Sequence, residues 1–348
     1  MGPLEFIYYL GYSFERSRSL KRQRRLPCPV ISVGNITVGG TGKTPAVIAI
    51  AEKAKERGYH PCILTRGYGG KAKGPCFVSK GSGSLLSVGE AGDEPFLMAE
   101  RLKGVPVVKG GDRYEAGLFA LEELGFQPSS SIHHPLLCIL DDGFQHWRLH
   151  RDRDILLIDG TDPFGNRRLL PMGRLREPLT EMKRADVIVI TKKVLGEKGI
   201  VRSSGFSSFD SLIDEIRDNS PDAPLFVAEH LPTGLTTASG KDLPITAISG
   251  KTIYGFAGIG NTDSFRETLL SIGTRVSGFK PFRDHVAYSQ GDIERISLAS
   301  KACRADWIVT TEKDIMKIRG YSVPENLVVL RIDFSVDTAF YDALFKEA

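Results

Sequence analysis

From residue 30 onward, short apolar runs rich in β-branched residues alternate with longer stretches whose apolar positions recur at helical spacing. The strand-like runs lie at 30–33 (VISV), 60–64, 105–108, 135–140 (PLLCIL), 154–159 (DILLID) and 186–191 (DVIVIT). Between them the spacing predicts helices over the alanine- and isoleucine-rich segment after Pro45, over 96–102 and over 114–124. Strand and helix in alternation predict a parallel α/β sheet. Residues 203–224 are rich in Ser, Asp and Pro, a change that marks a boundary. Beyond it, 225–228 and 245–248 read as two strands around a turn-rich segment near Gly240, a connecting hairpin. A second α/β unit follows: strand 252–257, helix 262–272, strand 275–279, helix 290–302, strand 307–310 and strand 327–332. The expected organisation is a main domain over 1–222, a hairpin linker over 223–250 and a smaller α/β domain over 251–348.

Composition narrows the function. The chain has 348 residues, more than one average domain, and 41% of them are hydrophobic, ample for buried cores. Its 46 basic and 42 acidic residues leave a net charge of +4, too nearly balanced to indicate a nucleic-acid partner. The 5 cysteines, Cys28, Cys62, Cys76, Cys138 and Cys303, form no C-x-x-C pair, so neither a disulfide framework nor a zinc site is indicated, and a reducing cytosol is the natural setting. No apolar run approaches the ~20 residues of a membrane span. The N-terminus also lacks a basic segment ahead of its apolar stretch, so neither spanning nor secretion is expected.

That N-terminus does combine an aromatic stretch, LEFIYYLGYSF over 4–14, with Arg16, Arg18, Lys21, Arg22, Arg24 and Arg25. Rings beside a basic cluster suit a helix lying at headgroup depth on anionic lipid. They equally suit a helix packed on its own domain with a solvated basic face.

The segment that organises the chain's chemistry is VISVGNITVGGTGKTPAVIA, strand 30–33 followed by a glycine-rich turn and a helix. Glycines let successive N–H groups converge on one anion, and the helix adds its positive N-terminal dipole. Gly39, Gly40, Thr41 and Gly42 would cradle phosphate, Lys43 would reach the β/γ-phosphates, and Thr44 would ligate Mg²⁺. The match to G-x-x-x-x-G-K-[ST] is incomplete, because Thr37 stands at the first glycine position. Run 135–140 ends in Asp141 and Asp142, an apolar strand leading into acids that hold Mg²⁺ directly or through water. The architecture is thus a P-loop NTPase-type parallel sheet with a second, smaller α/β domain joined by a hairpin linker.

Further loops converge on the same sheet edge. Tyr68 lies in TRGYGG, after strand 60–64, and Arg113 follows run 105–108 in GGDR, where it could reach phosphate. Asp93 and Glu94 stand at a helix start, where a carboxylate often only caps the helix. Residues 166–178, NRRLLPMGRLREP, set many arginines around the single carboxylate of Glu177. His146 and His150 have zinc-compatible spacing but no further ligand, so a structural role is expected. In the second unit, Gly258 and Gly260 lack the third glycine of a dinucleotide fingerprint, Asp263 standing there. Phe282-Arg283-Asp284-His285 lies between strand and helix, and Thr311 to Asp314 follow a strand end. The guanine-selective N-K-x-D is absent, which favours ATP.

Taken in order, SVGNITVGGTGKTP, LTRGYGG, GDEP, DDGFQHWRLHRD, LLPMGRLREP, FAGIGN, FRDHVAY and TTEKD resemble the tetraacyldisaccharide 4′-kinase family of lipid A synthesis over nearly the whole length. The resemblance includes the Thr37 form of the loop. It implies ATP- and Mg²⁺-dependent phosphorylation of the 4′-hydroxyl of a tetraacylated glucosamine disaccharide 1-phosphate, giving lipid IVA. By the same matching, Asp93 is the base for the sugar hydroxyl, assisted by His285, and Lys43 joins them as a catalytic group. Lys43, Thr44, Asp141, Asp142 and Glu177 fall on phosphate and Mg²⁺ positions, Arg113 and Arg176 on phosphate clamps, and Tyr68 and Gln145 on pocket-lining positions. A substrate with four acyl chains stays in the bilayer, so the resemblance implies a peripheral protein at the cytoplasmic face of the bacterial inner membrane, docked through its N-terminal segment (about 1–25). The competing reading is a P-loop ATPase or GTPase switch acting on a protein partner, which needs neither a hydroxyl base nor a lipid-facing helix.

Overall fold

The computed structural model describes residues 2–126, 136–191, 206 and 208–346. Its strands are β1 (Val30–Gly34), β2 (His60–Thr65), β3 (Cys76–Ser79), β4 (Val107–Lys109), β5 (Leu136–Asp141), β6 (Arg153–Asp159) and β7 (Val187–Thr191). They continue with β8 (Leu225–Thr237), β9 (Asp242–Leu243), β10 (Thr252–Ala257), β11 (Arg275–Pro281), β12 (Trp307–Thr311) and β13 (Leu327–Val336). The helices are α1 (Pro3–Leu20), α2 (Lys43–Glu56), α3 (Val88–Ala91), α4 (Asp93–Arg101) and α5 (Arg113–Glu123). After these come α6 (Phe209–Asn219), α7 (Thr262–Ser271), α8 (Gln290–Ala302), α9 (Glu312–Ile318) and α10 (Thr338–Leu344). Of the expected segments, the start of run 135–140 at Pro135 and part of the boundary stretch 203–224 lie outside the described residues.

The strands form one sheet in the order β11-β10-β12-β13-β8-β7-β6-β1-β5-β2-β4-β3, with β9 on β8. Strand β1 runs parallel between β5 and β6, in a register that sets Val33 opposite Asp141. The chain leaves β1 through α2 to β2 and fills the gap later with β5, so the glycine-rich turn and the acidic strand end become neighbours. Side chains alternate across this centre as the pleat requires. Leu137 and Ile139 of β5 pack with Ile48 and Ile50 of α2 and Met98 of α4. On the opposite face Leu136, Cys138 and Leu140 meet Ala116 and Ala120 of α5.

The strands of the expected linker have other bounds in the structure. Strand β8 runs unbroken from residue 225 to 237, pairing parallel with β7 over its first residues and antiparallel with β13 over the rest. It therefore joins both halves into one sheet, and its end turns at Gly240 into a short antiparallel hairpin with β9. Pro232, which ends the strand signal in the sequence, sits where the pairing register shifts between Arg331 and Ile332, so its missing N–H is absorbed by a bulge. Segment 245–248 is no strand: Ile245–Ala247 is a 3₁₀ turn after Pro244, and Ile248 fills the core below it. Helix α10 also returns to the first half, where Phe340 and Leu344 pack in the same cluster as Ile48 and Val189. Helix α6 arises within the Ser/Asp-rich stretch because Leu212 and Ile216, four apart, present one buried stripe.

Candidate functional site

The nucleotide end is built on the turn between β1 and α2. Gly42 caps α2 in the left-handed region (φ 80°), and a Cβ there would fall 2.3 Å from Cε1 of His230 on β8, so the position demands glycine twice over. Lys43 Nζ donates to Asn35 Oδ1 (3.1 Å), and Asn35 Nδ2 donates to the Thr37 carbonyl (2.7 Å), fixing lysine and loop together. Thr37 pairs in an antiparallel bridge with Leu175, while Val38 N–H donates to the Arg174 carbonyl (2.7 Å) and the Arg174 guanidinium donates back to the Val38 carbonyl. A β-branched residue suits this extended pairing better than glycine, which explains the departure from the usual loop pattern. Thr191 Oγ1 at the end of β7 donates to the Thr41 carbonyl (3.0 Å), and Gly260 of the second half packs beside Gly40.

Asp141 ends β5 and is buried; its Oδ2 accepts from Thr65 Oγ1 (2.9 Å), while Oδ1 has no hydrogen-bond partner among the described residues. Burial, then the charges of Glu94 and Asp142, push its carboxyl up to about 7. Asp142, at a φ of 52°, turns the other way. Burial alone would raise its carboxyl, but Lys43 (3.5 Å) and Arg176 (2.9 Å) outweigh that and hold it below the usual range. An orphaned carboxylate oxygen at a strand end, with the Thr44 hydroxyl at the helix start, is a donor set that fits Mg²⁺. Among the described residues no three His, Cys, Asp or Glu gather as a metal cage.

Glu177 stands elsewhere. It is fully buried, with one oxygen taken by Gln145 and the other by Arg184 Nη2 (2.5 Å) and Tyr12 OH (3.2 Å). Gln145 Nε2 also donates to the Asn35 carbonyl (2.8 Å), and its Oε1 accepts from Arg176 (3.2 Å). Both oxygens of the carboxylate expected on the metal are thus engaged by Gln145, Arg184 and Tyr12. Arg113 is also buried, donating to the Gly111 carbonyl (3.1 Å), and desolvation lowers its pKa while Asp141 opposes the shift. It lies beneath the acids and makes no ion pair among the described residues.

The acceptor end draws on both halves. Asp93 is the first residue of α4, and its Oδ2 lies 3.2 Å from Nδ1 of His285, which comes from the loop after β11 at a φ of 57°. The ring of exposed Tyr68 stands over His285 with centroids 5.6 Å apart. The same Asp93 oxygen meets Lys317 Nζ of α9 at 3.1 Å, and Glu94 meets Lys313 at 3.2 Å. Asp314, fully buried, accepts from Gly258 N–H (2.9 Å), Thr311 Oγ1 (2.7 Å) and Tyr288 OH (3.0 Å), which ties the glycine turn of the second half to α9. Sequence reasoning missed Lys317, Arg174 and His230; the four-residue spacing of Lys313 and Lys317 was the available signal, once helix α9 is known.

Helix α1 docks by its polar side. Glu5 accepts from Arg168 (2.8 Å), which holds its carboxyl down at about 2, Tyr8 OH donates to the Arg176 carbonyl (2.8 Å), and Tyr12 reaches Glu177. The opposite side exposes Leu4, Phe6, Ile7 (65% exposed), Leu10 and Phe14 (68% exposed). Among the described residues no helix is long and apolar enough to cross a membrane.

The family model for LpxK, tetraacyldisaccharide-1-P 4′-kinase, matches residues 1–348. A tetraacyldisaccharide 4′-kinase of Syntrophus aciditrophicus is 43% identical over 305 residues, 86% of this chain and 78% of that protein. Its counterpart in Aquifex aeolicus is 35% identical over 338 residues, covering 96% and 93%. The crystal structure of LpxK from Aquifex aeolicus in complex with ATP superposes with a TM-score of 0.73 at 33% identity, covering 99% of this chain and 97% of that one. A match of this extent leaves the P-loop switch disfavoured. The chain belongs to the tetraacyldisaccharide-1-P 4′-kinase family.

Proposed function

We propose that this protein transfers the γ-phosphoryl group of ATP to the 4′-hydroxyl of a tetraacylated glucosamine disaccharide 1-phosphate, forming lipid IVA. The observation that carries this reading is the 3.2 Å approach of Asp93 and His285 from opposite halves of the chain, at the sheet edge that bears the P-loop. Asp93 accepts the hydroxyl proton as the new O–P bond forms and the bond from the γ-phosphorus to its bridging oxygen breaks. The carboxylate is a weak base, but in a loose transition state the proton leaves late and orientation dominates. His285 holds the carboxylate in place and shares the proton's charge.

Lys43 and Arg176 balance the charge developing on the transferred group and on ADP. Thr44 and Asp141, with Asp142 alongside, would hold Mg²⁺, which when bound neutralises the β- and γ-phosphate oxygens. Glu177 keeps Gln145 and Arg176 in position, Arg113 adds positive potential behind the acids, and Tyr68 borders the acceptor pocket with Gln145. The P-loop half and the unit built on β10 to β12 act as two lobes closing on the substrates.

The exposed apolar stripe of α1 rests on an anionic membrane surface at the cytoplasmic face of the inner membrane, where the acylated acceptor lies. Its rings and aliphatic side chains enter the headgroup region, and Arg18, Lys21, Arg22 and Arg25 follow at its end. Because Tyr8 and Tyr9 pack into the core, outward substitutions test this better than truncation. Ile7→Ser with Phe14→Ser is expected to abolish sedimentation with vesicles containing anionic lipid; unchanged sedimentation contradicts the docking. For the reaction itself, γ-labelled ATP incubated with the disaccharide lipid is expected to label the lipid. Nucleotide hydrolysis without lipid-borne label contradicts the kinase reading.

A further inference from the structure

Asp93 has two basic neighbours, and they differ in kind. His285 sits on a loop with its side chain 40% exposed, whereas the Lys317 side chain is only 5% exposed on α9. Both meet Oδ2, at 3.2 and 3.1 Å, which leaves Oδ1 as the oxygen for an incoming hydroxyl. Lys317 makes no hydrogen bond among the described residues and is held by charge: its ammonium lies 3.5 Å from Asp314 Oδ1, and Asp314 is locked by Gly258, Thr311 and Tyr288. One turn earlier on the same helix face, Lys313 holds Glu94 (3.2 Å) and Asp284 (3.7 Å), the residue before His285. The rigid member of the acceptor site is therefore α9.

We propose that Lys317 is a positioning residue for the phosphoryl-transfer reaction, a buried ammonium fixed by Asp314 that orients Asp93 so that Oδ1 meets the acceptor hydroxyl. This rests on Asp93 being the base. Lys317 does not touch substrate; it acts through Asp93. An ammonium in a low-dielectric setting also keeps its neighbouring carboxylate a better acceptor geometry than a histidine on an exposed loop can secure alone. Lys313 acts alongside, tying the His285 loop to α4.

Steady-state kinetics on the full chain, with MgATP and the disaccharide lipid in detergent, test this through a double-mutant cycle. Lys317→Met is expected to lower kcat on the order of tenfold to a hundredfold, part of the 10²–10⁴ contributed by a positioned base. KM for MgATP is expected to stay within about twofold, because Lys317 lies apart from the P-loop. Lys317→Arg is expected to restore most of the rate, and Lys317→Met in the Asp93→Ala background to cost less than about twofold more. Should Lys317→Met fail to fold, Lys317→Gln serves with the same expectations. Turnover within about twofold of the parent, an equal loss with and without Asp93, or no rescue by arginine overturns the proposal. If Asp93→Ala itself keeps full turnover, the base reading falls; if Asp93→Ala is inactive while Lys317→Met is normal, only Lys317 falls.

Discussion

The nucleotide end and the acceptor end of this site are built on different principles. The first is local: Asn35, Asp141 and Asp142 stand at the ends of adjacent parallel strands, Lys43 opens the helix that follows β1, and the register that sets Val33 opposite Asp141 brings them together. The second is assembled: Asp93 opens α4, His285 follows β11 and Lys317 lies on α9, so the group exists only when both halves are in place. The expected nucleotide residues thus lie close together in one half, with Gly260 of the other packed beside Gly40, whereas the expected acceptor residues come from both.

The comparison breaks most visibly at Asp93. Asp93→Ala is expected to lower kcat about 10²–10⁴-fold with KM for MgATP nearly unchanged, whereas Lys43→Ala is expected to damage both parameters. Equal effects of the two substitutions on KM would erase the distinction between the ends. Next in size is the join between the halves. Phe340→Ala removes a fully buried ring from the cluster that α10 shares with α2, at a cost of about 3–5 kcal/mol in a urea melt. A loss below about 1 kcal/mol would show that α10 does not hold the halves together.

The pH dependence of Mg²⁺ binding sharpens the nucleotide end. Burial, followed by Glu94 and Asp142, raises the Asp141 carboxyl to about 7, so below that pH a proton competes with the ion. Mg²⁺ affinity for the ATP complex is expected to rise up to about tenfold per pH unit below about 7, with proton release, and to level off above it. Calorimetry at pH 6 and pH 8 in buffers of different ionisation enthalpy reads this directly; a flat profile would place Asp141 off the metal. For folding the sign is opposite: a raised carboxyl pKa costs the native state stability as pH climbs from the unfolded value through about 7. The smallest expected effect is at the rim of the α4–α9 contact. Arg319 and Glu100 pair at 2.6 Å with the arginine about half exposed, and Arg319→Ala is expected to cost only about 0.2–1 kcal/mol.

This division also governs what the sequence made legible. The glycine turn, the acids of β5 and the helix that follows the turn were readable because each is contiguous and carries its own period. Thr37 became intelligible only through Leu175 and Arg174, residues far along the chain that pair with it. Strand β8 was hidden because Pro232 interrupts its pattern, and only the bulge opposite Arg331 and Ile332 shows how the sheet accepts it. Glu177 was set at the metal through the family resemblance, and Gln145, Tyr12 and Arg184 converge on it from three other segments. Asp93 and His285 were paired through family resemblance, since nothing in their spacing brings them together. Lys317 was invisible because the strand–helix junction after β12 read as a strand end alone.

We propose that the assembled acceptor end is what makes this P-loop protein a lipid kinase. The most direct test is to follow the fate of the γ-phosphate in the parent and in His285→Ala at saturating MgATP with the disaccharide lipid present. Lipid-borne phosphate is expected to fall at least tenfold in the variant, with ATP affinity retained because the histidine lies outside the P-loop. Undiminished transfer to lipid, or a matching loss of ATP binding, would contradict the account.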